Sequence, residues 1–218
     1  MKDLTQITLL LDRSGSMASV RQATVDGVNE FVEGQKAEPG EAHFTLIQFD
    51  SNDPYEVLFD KDLKDAPKLN MESFVPRGAT PLHDALGQTI TELGTRLKNT
   101  KDEERPSKVI VVIMTDGYEN ASHKYTASQL AGMIKHQHDA YKWQFIFLGA
   151  NQDAIMTGEK LNIPGSHAMS FLADDQATRS SLRSTTANVA AYRRTGAAAS
   201  LHYTGAQRKA AVKPDDKK

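Results

Sequence analysis

Hydrophobic residues follow two different spacings along the chain, and the two spacings alternate. Five short segments rich in Val, Ile, Leu and Phe have the pattern of buried or half-buried β-strands. They are residues 7–12, 43–50, 55–60, 108–116 and 143–150. Between them, apolar residues recur every three or four positions, as in Leu82, Leu86 and Ile90, which predicts helices over 18–36 and 82–97. The order of strands and helices predicts an α/β protein.

The type of sheet follows from the character of individual strands. The run VIVVIM at 109–114 is apolar at every position, which is typical of a central parallel strand covered by helices on both sides. The strand 55–60 follows the strand 43–50 after the short turn SNDP, which predicts a hairpin and one antiparallel edge strand. HAMSF at 167–171 predicts a short last strand. The expected fold is a doubly wound, mostly parallel sheet with one antiparallel edge strand and helices on both faces.

Thr126 and Gln129 have the spacing of a capping box, which predicts a helix after the central strand.

The last part of the chain has a different composition. Residues 174–195 have a helical pattern, and Ala, Lys and Arg dominate after about residue 196. We therefore expect a domain over 1–172, a helix over 173–195 that docks on it, and a basic, flexible tail over 196–218.

The composition excludes several kinds of site. No cysteine occurs in the 218 residues, which rules out disulfides, zinc–thiolate sites and cysteine nucleophiles. The longest strongly apolar run, VIVVIM, is far too short to span a bilayer. The first residues, MKDLTQ, lack the pattern of a signal peptide, which predicts a cytoplasmic protein with no membrane partner.

The net charge of −2 hides an uneven distribution. Residues 177–218 carry a net charge of +7, and the preceding residues carry −9. A basic end on an acidic body favours binding to nucleic acid or to an acidic partner. The candidate phosphate-binding residues are Arg193, Arg194, Arg208 and Lys209. A solvated end, or a helix that docks on the body through Leu182 and Val189, is the alternative interpretation.

The two most apolar predicted strands, the first and the central one, both end in an aspartate. Asp12 ends the first strand in LDRSGS, and Asp116 ends the central strand in IMTDGYEN. In open α/β sheets, ligands bind beyond the carboxyl ends of the strands, where neighbouring strands lead to opposite faces. If these two strands are adjacent, both carboxylates lie in one crevice. Each aspartate alone is also an ordinary strand-end or helix-cap residue.

Three hydroxyl residues complete the pattern. Ser14 and Ser16 are two residues apart in the loop after the first strand, and Thr80 precedes a predicted helix. A polar turn that caps the next helix is the alternative role for the serines, and a helix cap is the alternative role for Thr80. Together with Asp12 and Asp116 they offer five oxygen ligands. Mg²⁺ binds about six oxygens in octahedral geometry, so the set predicts a magnesium site.

The segments DRSGS, GATPL and TDG, in this order, resemble the von Willebrand factor A domain over about residues 5–172. The resemblance implies a Rossmann-like, doubly wound sheet and an intact metal-ion-dependent adhesion site. The implied cofactor is Mg²⁺, with Mn²⁺ or Ca²⁺ as alternatives. The implied metal ligands are Asp12, Ser14, Ser16, Thr80 and Asp116.

The same resemblance implies the function. A partner protein offers an Asp or Glu that completes the coordination of the metal, so the chain would act as an adaptor, scaffold or inhibitor. Intracellular members of the family serve in multiprotein assemblies, including those with AAA+ ATPases, and FIFLGANQDA and NIPGSHAMSF resemble intracellular bacterial and phage members. The expected partner-binding rim consists of Arg13, Met17, Gly117, Tyr118, Glu119 and Asn151, of which the last is also a candidate helix cap.

Two other functions stay open at this point. A magnesium-dependent phosphotransferase of the haloacid dehalogenase type needs an acid/base aspartate two residues after Asp12, where this chain has Ser14. A simpler metal hydrolase needs a placed base, for which Glu119 and His83 are the candidates. The basic tail is the basis of the second alternative, nucleic-acid binding. The expectation from the sequence is an interaction protein and not an enzyme.

Overall fold

The structure is a computed structural model that describes residues 2–150 and 153–212. The strands are β1 (Lys2–Asp12), β2 (Glu41–Phe49), β3 (Glu56–Asp62), β4 (Pro106–Thr115), β5 (Gln144–Ala150) and β6 (Ala168–Phe171). The helices are α1 (Arg21–Lys36), α2 (Leu82–Asn99), α3 (Ala127–Tyr141), α4 (Ala154–Lys160), α5 (Asp175–Thr195) and α6 (Gly205–Ala211). Within the described part of the chain, none of the helices is long and apolar enough to cross a membrane.

The six strands form one sheet in the order β3-β2-β1-β4-β5-β6. Every neighbouring pair is parallel except β2 with β3, which is antiparallel. The predicted fold class is therefore confirmed, including the antiparallel strand at one edge. The capping box predicted for Thr126 is also present at the start of α3.

The sheet separates two hydrophobic cores. Leu9, Leu11 and other side chains of one face pack against α1 and α5. Side chains of the other face, such as Leu10, pack against α2, α3 and α4. The chain leaves β1 for α1 on the first face and leaves β4 for α3 on the second. The neighbours β1 and β4 thus form the switch point at which open α/β sheets bind ligands.

Helix α5 packs closely along α1, and two glycines of α1 permit the approach. A Cβ atom at Gly27 would lie 2.4 Å from Leu182 Cδ1, and a Cβ atom at Gly34 would lie 2.5 Å from Thr186 Cγ2. Larger residues at these two positions would therefore push the helices apart.

Ion pairs join the same two elements along their exposed margin. Three arginines of α5 each bind a carboxylate on α1 or just after it. The pairs are Arg179–Asp26 at 2.7 Å, Arg183–Glu30 at 2.9 Å and Arg194–Glu38 at 2.5 Å. The basic end of the chain thus faces acidic residues of its own body, which neutralises part of the uneven charge seen in the sequence.

The segment after α5 is folded, so the expected flexible tail from residue 196 is wrong for the described residues up to 212. Leu201, Tyr203 and Ala211 are buried against the body of the protein. The Tyr203 hydroxyl lies 2.7 Å from the Thr185 hydroxyl of α5. These few anchors are hidden in a composition dominated by Ala, Lys and Arg. Residues 213–218 lie outside the described residues, and the division of the chain at 172 and 195 stays a prediction.

Substitutions at two adjacent positions of α5 distinguish the contribution of packing to stability from that of charge. Leu182→Ala should lower the free energy of unfolding by about 2–5 kcal/mol, because the side chain is 1% exposed and its loss leaves a cavity. Arg183→Ala should cost less than about 1 kcal/mol, since its ion pair with Glu30 is exposed to solvent. Urea unfolding of both variants measures the two costs. Equal costs would mean that charge, and not packing, holds α5 in place.

Candidate metal centre

The carboxylate of Asp12 is buried at the end of β1 and is oriented by two hydrogen bonds. Oδ1 accepts from the Ser14 backbone N–H at 2.6 Å, and Oδ2 accepts from the Thr115 hydroxyl at 2.5 Å. Thr115 is the last residue of β4, the strand that pairs with β1. Sequence reasoning missed this role of Thr115. Its position directly before Asp116 at a strand end is the signal that points to it.

Asp116 and the two serines form a second hydrogen-bonded series across the crevice. The Ser16 hydroxyl donates to Asp116 Oδ1 at 2.6 Å, and the hydroxyl oxygens of Ser16 and Ser14 lie 3.1 Å apart. Ser14 occupies the N-cap position of a short 3-10 helix (Gly15–Val20), but its side chain makes no cap hydrogen bond. Ser14 therefore holds the cap position without capping the helix through its side chain, and its hydroxyl lies against Ser16 instead.

Thr80 reaches the crevice from the loop before α2. Two hydrogen bonds with Asn120 hold the backbone of Thr80. Asn120 Oδ1 accepts from the Thr80 N–H at 2.9 Å, and the Asn120 N–H donates to the Thr80 O at 3.2 Å. Pro81, and not Thr80, occupies the N-cap position of α2, so the interpretation of Thr80 as a cap is wrong. Asn120 is a second residue whose role sequence reasoning missed, because the bond joins two distant loops.

The position of Gly117 reveals how closely the oxygens converge. A Cβ atom at Gly117 would lie 2.9 Å from Thr80 Oγ1, 3.3 Å from Ser16 Oγ and 3.8 Å from Asp12 Oδ2. Oxygens from separate loops therefore surround one point next to Gly117. The fold brings together all five residues singled out in the sequence: Asp12, Ser14, Ser16, Thr80 and Asp116.

The Asp84 carboxylate, on α2, binds the loop that carries Asp116. Asp84 accepts three consecutive backbone N–H groups of that loop, at 2.8–2.9 Å. The donors are His123, Lys124 and Tyr125. The Asp84 backbone N–H in turn donates to the Ser122 hydroxyl at 3.0 Å. Thr80 and Asp116 are thus held in fixed relation, since α2 starts beside one and binds the loop of the other.

Burial raises the pKa of Asp12 to about 6, and hydrogen bonds from Thr115 and Ser14 offset only part of that effect. Burial also raises the pKa of Asp116, whose negative charge adds to the shift at Asp12. In the described part of the chain, both carboxylates accept hydrogen bonds from hydroxyl and backbone N–H groups and not from Lys, Arg or His. Two such carboxylates are unfavourable in the ionised form unless a cation joins them.

The donor set fits a small divalent cation. Carboxylate and hydroxyl oxygens are hard ligands of the kind that Mg²⁺ and Ca²⁺ prefer. In residues 2–150 and 153–212, no three His, Asp or Glu side chains are grouped as a metal site. A metal in the crevice would therefore depend on the hydroxyls of Ser14, Ser16 and Thr80 as much as on the two carboxylates.

The expected rim residues fall into two groups. Gly117 borders the oxygens, and Tyr118 is 66% exposed beside it. Arg13 is instead buried, and its Nε donates to Asp50 Oδ2 at 2.7 Å. Met17 is fully buried in the core beneath α1. The rim interpretation is wrong for Arg13 and Met17, because the tight turn after β1 directs both side chains inward.

Glu119 serves the loop and is not free to bind a partner or to act as a base. Its Oε1 accepts from the backbone N–H groups of Ala121 and Ser122, and its Oε2 accepts from the His83 backbone N–H. The rim interpretation of Glu119 is therefore wrong as well. Asn151 lies outside the described residues, so its role stays a prediction.

The candidate phosphate-binding arginines are engaged within the protein. Arg193 is buried and donates to two backbone oxygens near the end of α1. Arg194 forms the ion pair described above, and Arg208 donates to two backbone oxygens at the start of β6. Lys209 is exposed. Three of the four side chains thus stabilise the fold, which reduces the charge available to a nucleic acid.

Solved structures with the same fold include proteins from several bacteria. A von Willebrand factor type A protein from Catenulispora acidiphila aligns with a TM-score of 0.58 at 14% identity, over 86% of this chain and 42% of that chain. The open conformation of the pilus adhesin SpaC from Lactobacillus rhamnosus GG aligns with a TM-score of 0.64 at 14% identity, over 87% and 30%. The vWF domain of the type V pili tip protein Mfa5 from Porphyromonas gingivalis gives 0.60 at 9% identity, over 90% and 97%.

These likenesses concern the fold alone, and the chain spans less than half the length of the first two proteins. None of the curated protein sequences shows a significant match to the chain. The sequence profile of the von Willebrand factor type A domain matches residues 7–119, which is more than half of the chain. The matched region runs from β1 to the loop after β4 and includes every candidate metal ligand. The chain therefore belongs to the von Willebrand factor type A domain family.

Proposed function

We propose that the protein is a divalent-metal-dependent interaction module that binds an acidic side chain of a partner protein. The observation that carries the proposal is the convergence of Asp12, Ser16 and Thr80 oxygens around one point beside Gly117. Such convergence of loops at the switch point of the sheet is the arrangement that an open α/β fold uses for a ligand.

Each residue has a distinct part in this proposal. Asp12 and Asp116 supply the negative charge, and Ser14, Ser16 and Thr80 supply neutral oxygens. Bound Mg²⁺ would provide a positive centre with a coordination position for an oxygen from outside the chain. Because two carboxylates and three hydroxyls leave that centre electrophilic, the ligand that fits best is an additional carboxylate, the Asp or Glu of a partner. Tyr118 offers an exposed aromatic surface next to this position.

Membership of the family does not by itself specify the metal, the location or the partner. An intact adhesion site, Mg²⁺ as the resident ion, an intracellular bacterial or phage type and a cytoplasmic location are all proposals. So is a role as adaptor, scaffold or inhibitor in an assembly such as one with an AAA+ ATPase. The solved relatives include a pilus adhesin and a pilus tip protein, so the fold itself is compatible with other locations.

The alternatives have less support. An enzyme of the haloacid dehalogenase type lacks its second aspartate, since Ser14 stands there, and the carboxylate of the candidate base Glu119 is occupied by its own loop. Proteins with this domain are generally interaction or adhesion modules and not enzymes. Nucleic-acid binding through the C-terminal part is disfavoured by the engaged arginines.

Metal binding is tested first with Asp12→Ala. Wild-type protein should bind Mg²⁺ or Mn²⁺ in a calorimetric titration and should melt at a higher temperature with metal than with EDTA, because a ligand that binds only the folded state stabilises it. Asp12→Ala should lose both effects. Asp139→Asn, which changes an exposed carboxylate on α3, is the matched control and should behave as wild type. Metal binding that survives Asp12→Ala would contradict the assignment.

Partner binding is tested by affinity capture from the source lysate, in parallel with Mg²⁺ and with EDTA. A partner should be retained by wild-type protein and by Asp139→Asn with Mg²⁺ only, and Thr80→Ala should lose it. The same partner captured in EDTA would place the interaction on another surface.

The raised pKa of Asp12 predicts opposite effects of pH with and without metal. A carboxyl whose pKa is higher in the folded state stabilises the fold when protonated, and this contribution is lost as the pH rises through about 6. In EDTA, Asp12→Asn should therefore be more stable than wild type at pH 8, by an amount on the order of 1–3 kcal/mol that shrinks towards pH 5.

With saturating Mg²⁺ the order should reverse at pH 8, because only the wild type keeps a carboxylate at position 12 for the metal to bind. Urea unfolding between pH 5 and 8 in both media measures the difference. A difference between the two proteins that does not vary with pH would contradict this role of the Asp12 carboxyl.

A further inference from the structure

A large groove lies between α2 and α3, on the face of the sheet opposite α1 and α5. Its volume is about 1320 Å³. The carboxyl-terminal halves of the two helices form its walls, and Val109 and Trp143, at the starts of β4 and β5, lie at its base. The groove is therefore at the end of the sheet opposite the candidate metal centre, and the proposed function does not use it.

Small residues keep the groove open. Near their starts α2 and α3 are in close contact, where the ring of Tyr125 lies against Gly87. Farther along, the facing residues are Gly94 and Gly132. A Cβ atom at Gly132 would have no neighbour within 4 Å, and one at Gly94 would meet only the Gln137 side chain, at 3.6 Å. The glycines thus leave the space between the helices open, and its lining combines apolar side chains such as Leu97 and Met133 with polar ones such as Thr95 and Gln137.

The charge at the open end of the groove is positive. Lys98 and Lys142 line it, and in the described part of the chain neither ammonium group is paired with a carboxylate. Asp102 is the only acid among the described lining residues, and it pairs with Arg105 at 2.7 Å. Asp139, on the adjacent turn of α3, pairs with Lys135 at 2.5 Å. The Lys142 ammonium group donates to the Asp139 backbone oxygen at 2.9 Å. The groove therefore combines partly buried apolar side chains such as Leu97 and Met133 with two lysines that have no carboxylate ion-pair partner among the described residues, in a protein whose net charge is −2.

We propose that this groove binds an amphipathic helix of a partner protein, with acidic residues in the first turn of that helix. The lining of α3 from Gln129 to Tyr141 extends over about 18 Å, which is the length of a helix of about twelve residues. A small ligand normally occupies a cavity of about 300–1,000 Å³ that encloses most of its surface, so this larger, open groove fits a helix better.

The orientation of the bound helix follows from electrostatics. Both α2 and α3 end at the lysines, so their carboxyl-terminal dipole ends lie there. The amino-terminal end of a partner helix is the favourable neighbour of those ends, and acidic residues are favourable in its first turn. Lys98 and Lys142 would then face those acidic residues, and the apolar stripe of the helix would cover the partly buried Leu97 and Met133 above the buried Trp143.

The test uses the single tryptophan of the chain, Trp143, as a reporter inside the groove. The probe is a synthetic helical peptide of about fourteen residues without Trp or Tyr, with Leu on one face and Glu in the first turn. A second peptide carries Lys in place of each Glu. Both are titrated in EDTA at low salt while the fluorescence of Trp143 is recorded. Laurate is titrated as a small apolar ligand, and sedimentation of the free protein measures self-association.

Matched variants separate filling of the groove from loss of folding. Gly132→Leu should weaken binding of the Glu peptide at least about tenfold, because the new side chain starts in open space, with no neighbour within 4 Å of its Cβ atom, on the wall of the groove. Gly205→Leu is the control, since a Cβ atom there also has no neighbour within 4 Å and α6 is remote from the groove. Asp12→Asn should bind the peptide normally, which distinguishes this site from the metal centre.

Charge reversal tests the choice of partner. The Lys peptide should bind wild-type protein at least about tenfold more weakly than the Glu peptide, and Lys98→Glu combined with Lys142→Glu should invert that preference. Equal binding of both peptides, no binding of either, or full binding to Gly132→Leu would overturn the proposal. So would saturable binding of laurate alone, or a dimer that Gly132→Leu abolishes, since the groove would then belong to a lipid-like ligand or to a second copy.

Discussion

The parallel pairing of β1 with β4 is the constraint on which the rest of the site depends. Leu11 lies opposite Met114 in this pair, so the strands end side by side and Asp12 falls within reach of the Thr115 hydroxyl. Both strands are packed on two faces by helices, which makes their relative position rigid. The first ligand of the candidate metal centre is therefore positioned by the core and not by a flexible loop.

The remaining ligands are positioned by polar bonds between loops. Asn120 holds the backbone of Thr80, and Asp84 and Glu119 hold the loop that follows Asp116. These contacts fix the backbone of the loops that carry Thr80 and Asp116. The same contacts leave the partly exposed Asp116 close enough to the buried Asp12 for its negative charge to raise the pKa of Asp12. The protein thus accepts an unfavourable pair of carboxylates at the point where a cation would relieve it.

Much of the architecture could be predicted from the sequence because it follows from local periodicity. The six-residue run VIVVIM is apolar at every position, which predicts a strand covered by helices on both faces. The short SNDP turn predicts a hairpin. The site residues could be predicted because strand ends meet at one edge of a parallel sheet. The inward direction of Arg13 and Met17 could not, since a tight turn follows neither the helical nor the strand period.

Tertiary contacts between distant segments could not be predicted from the sequence either. Asp84 has the appearance of an ordinary helix residue, yet it binds three backbone groups about forty positions away. The folded C-terminal segment depends on Leu201 and Tyr203, two isolated apolar residues whose partners are on α5 and at the sheet edge. Spacing along the chain contains no information on such partners, because the contacts form only when the whole domain is assembled.

The C-terminal segment also determines how the sheet ends. Strand β6 is at the edge, where unpaired backbone groups are a template for strand addition by another molecule. Arg208 binds the backbone oxygen of Ala168, the Ala211 oxygen accepts from the Leu172 N–H, and the Tyr203 N–H donates to the Ser166 oxygen. Helix α6 and the segment before it therefore cover part of this edge, and Arg208, one of the residues of the basic end, occupies backbone oxygens that another strand would otherwise use.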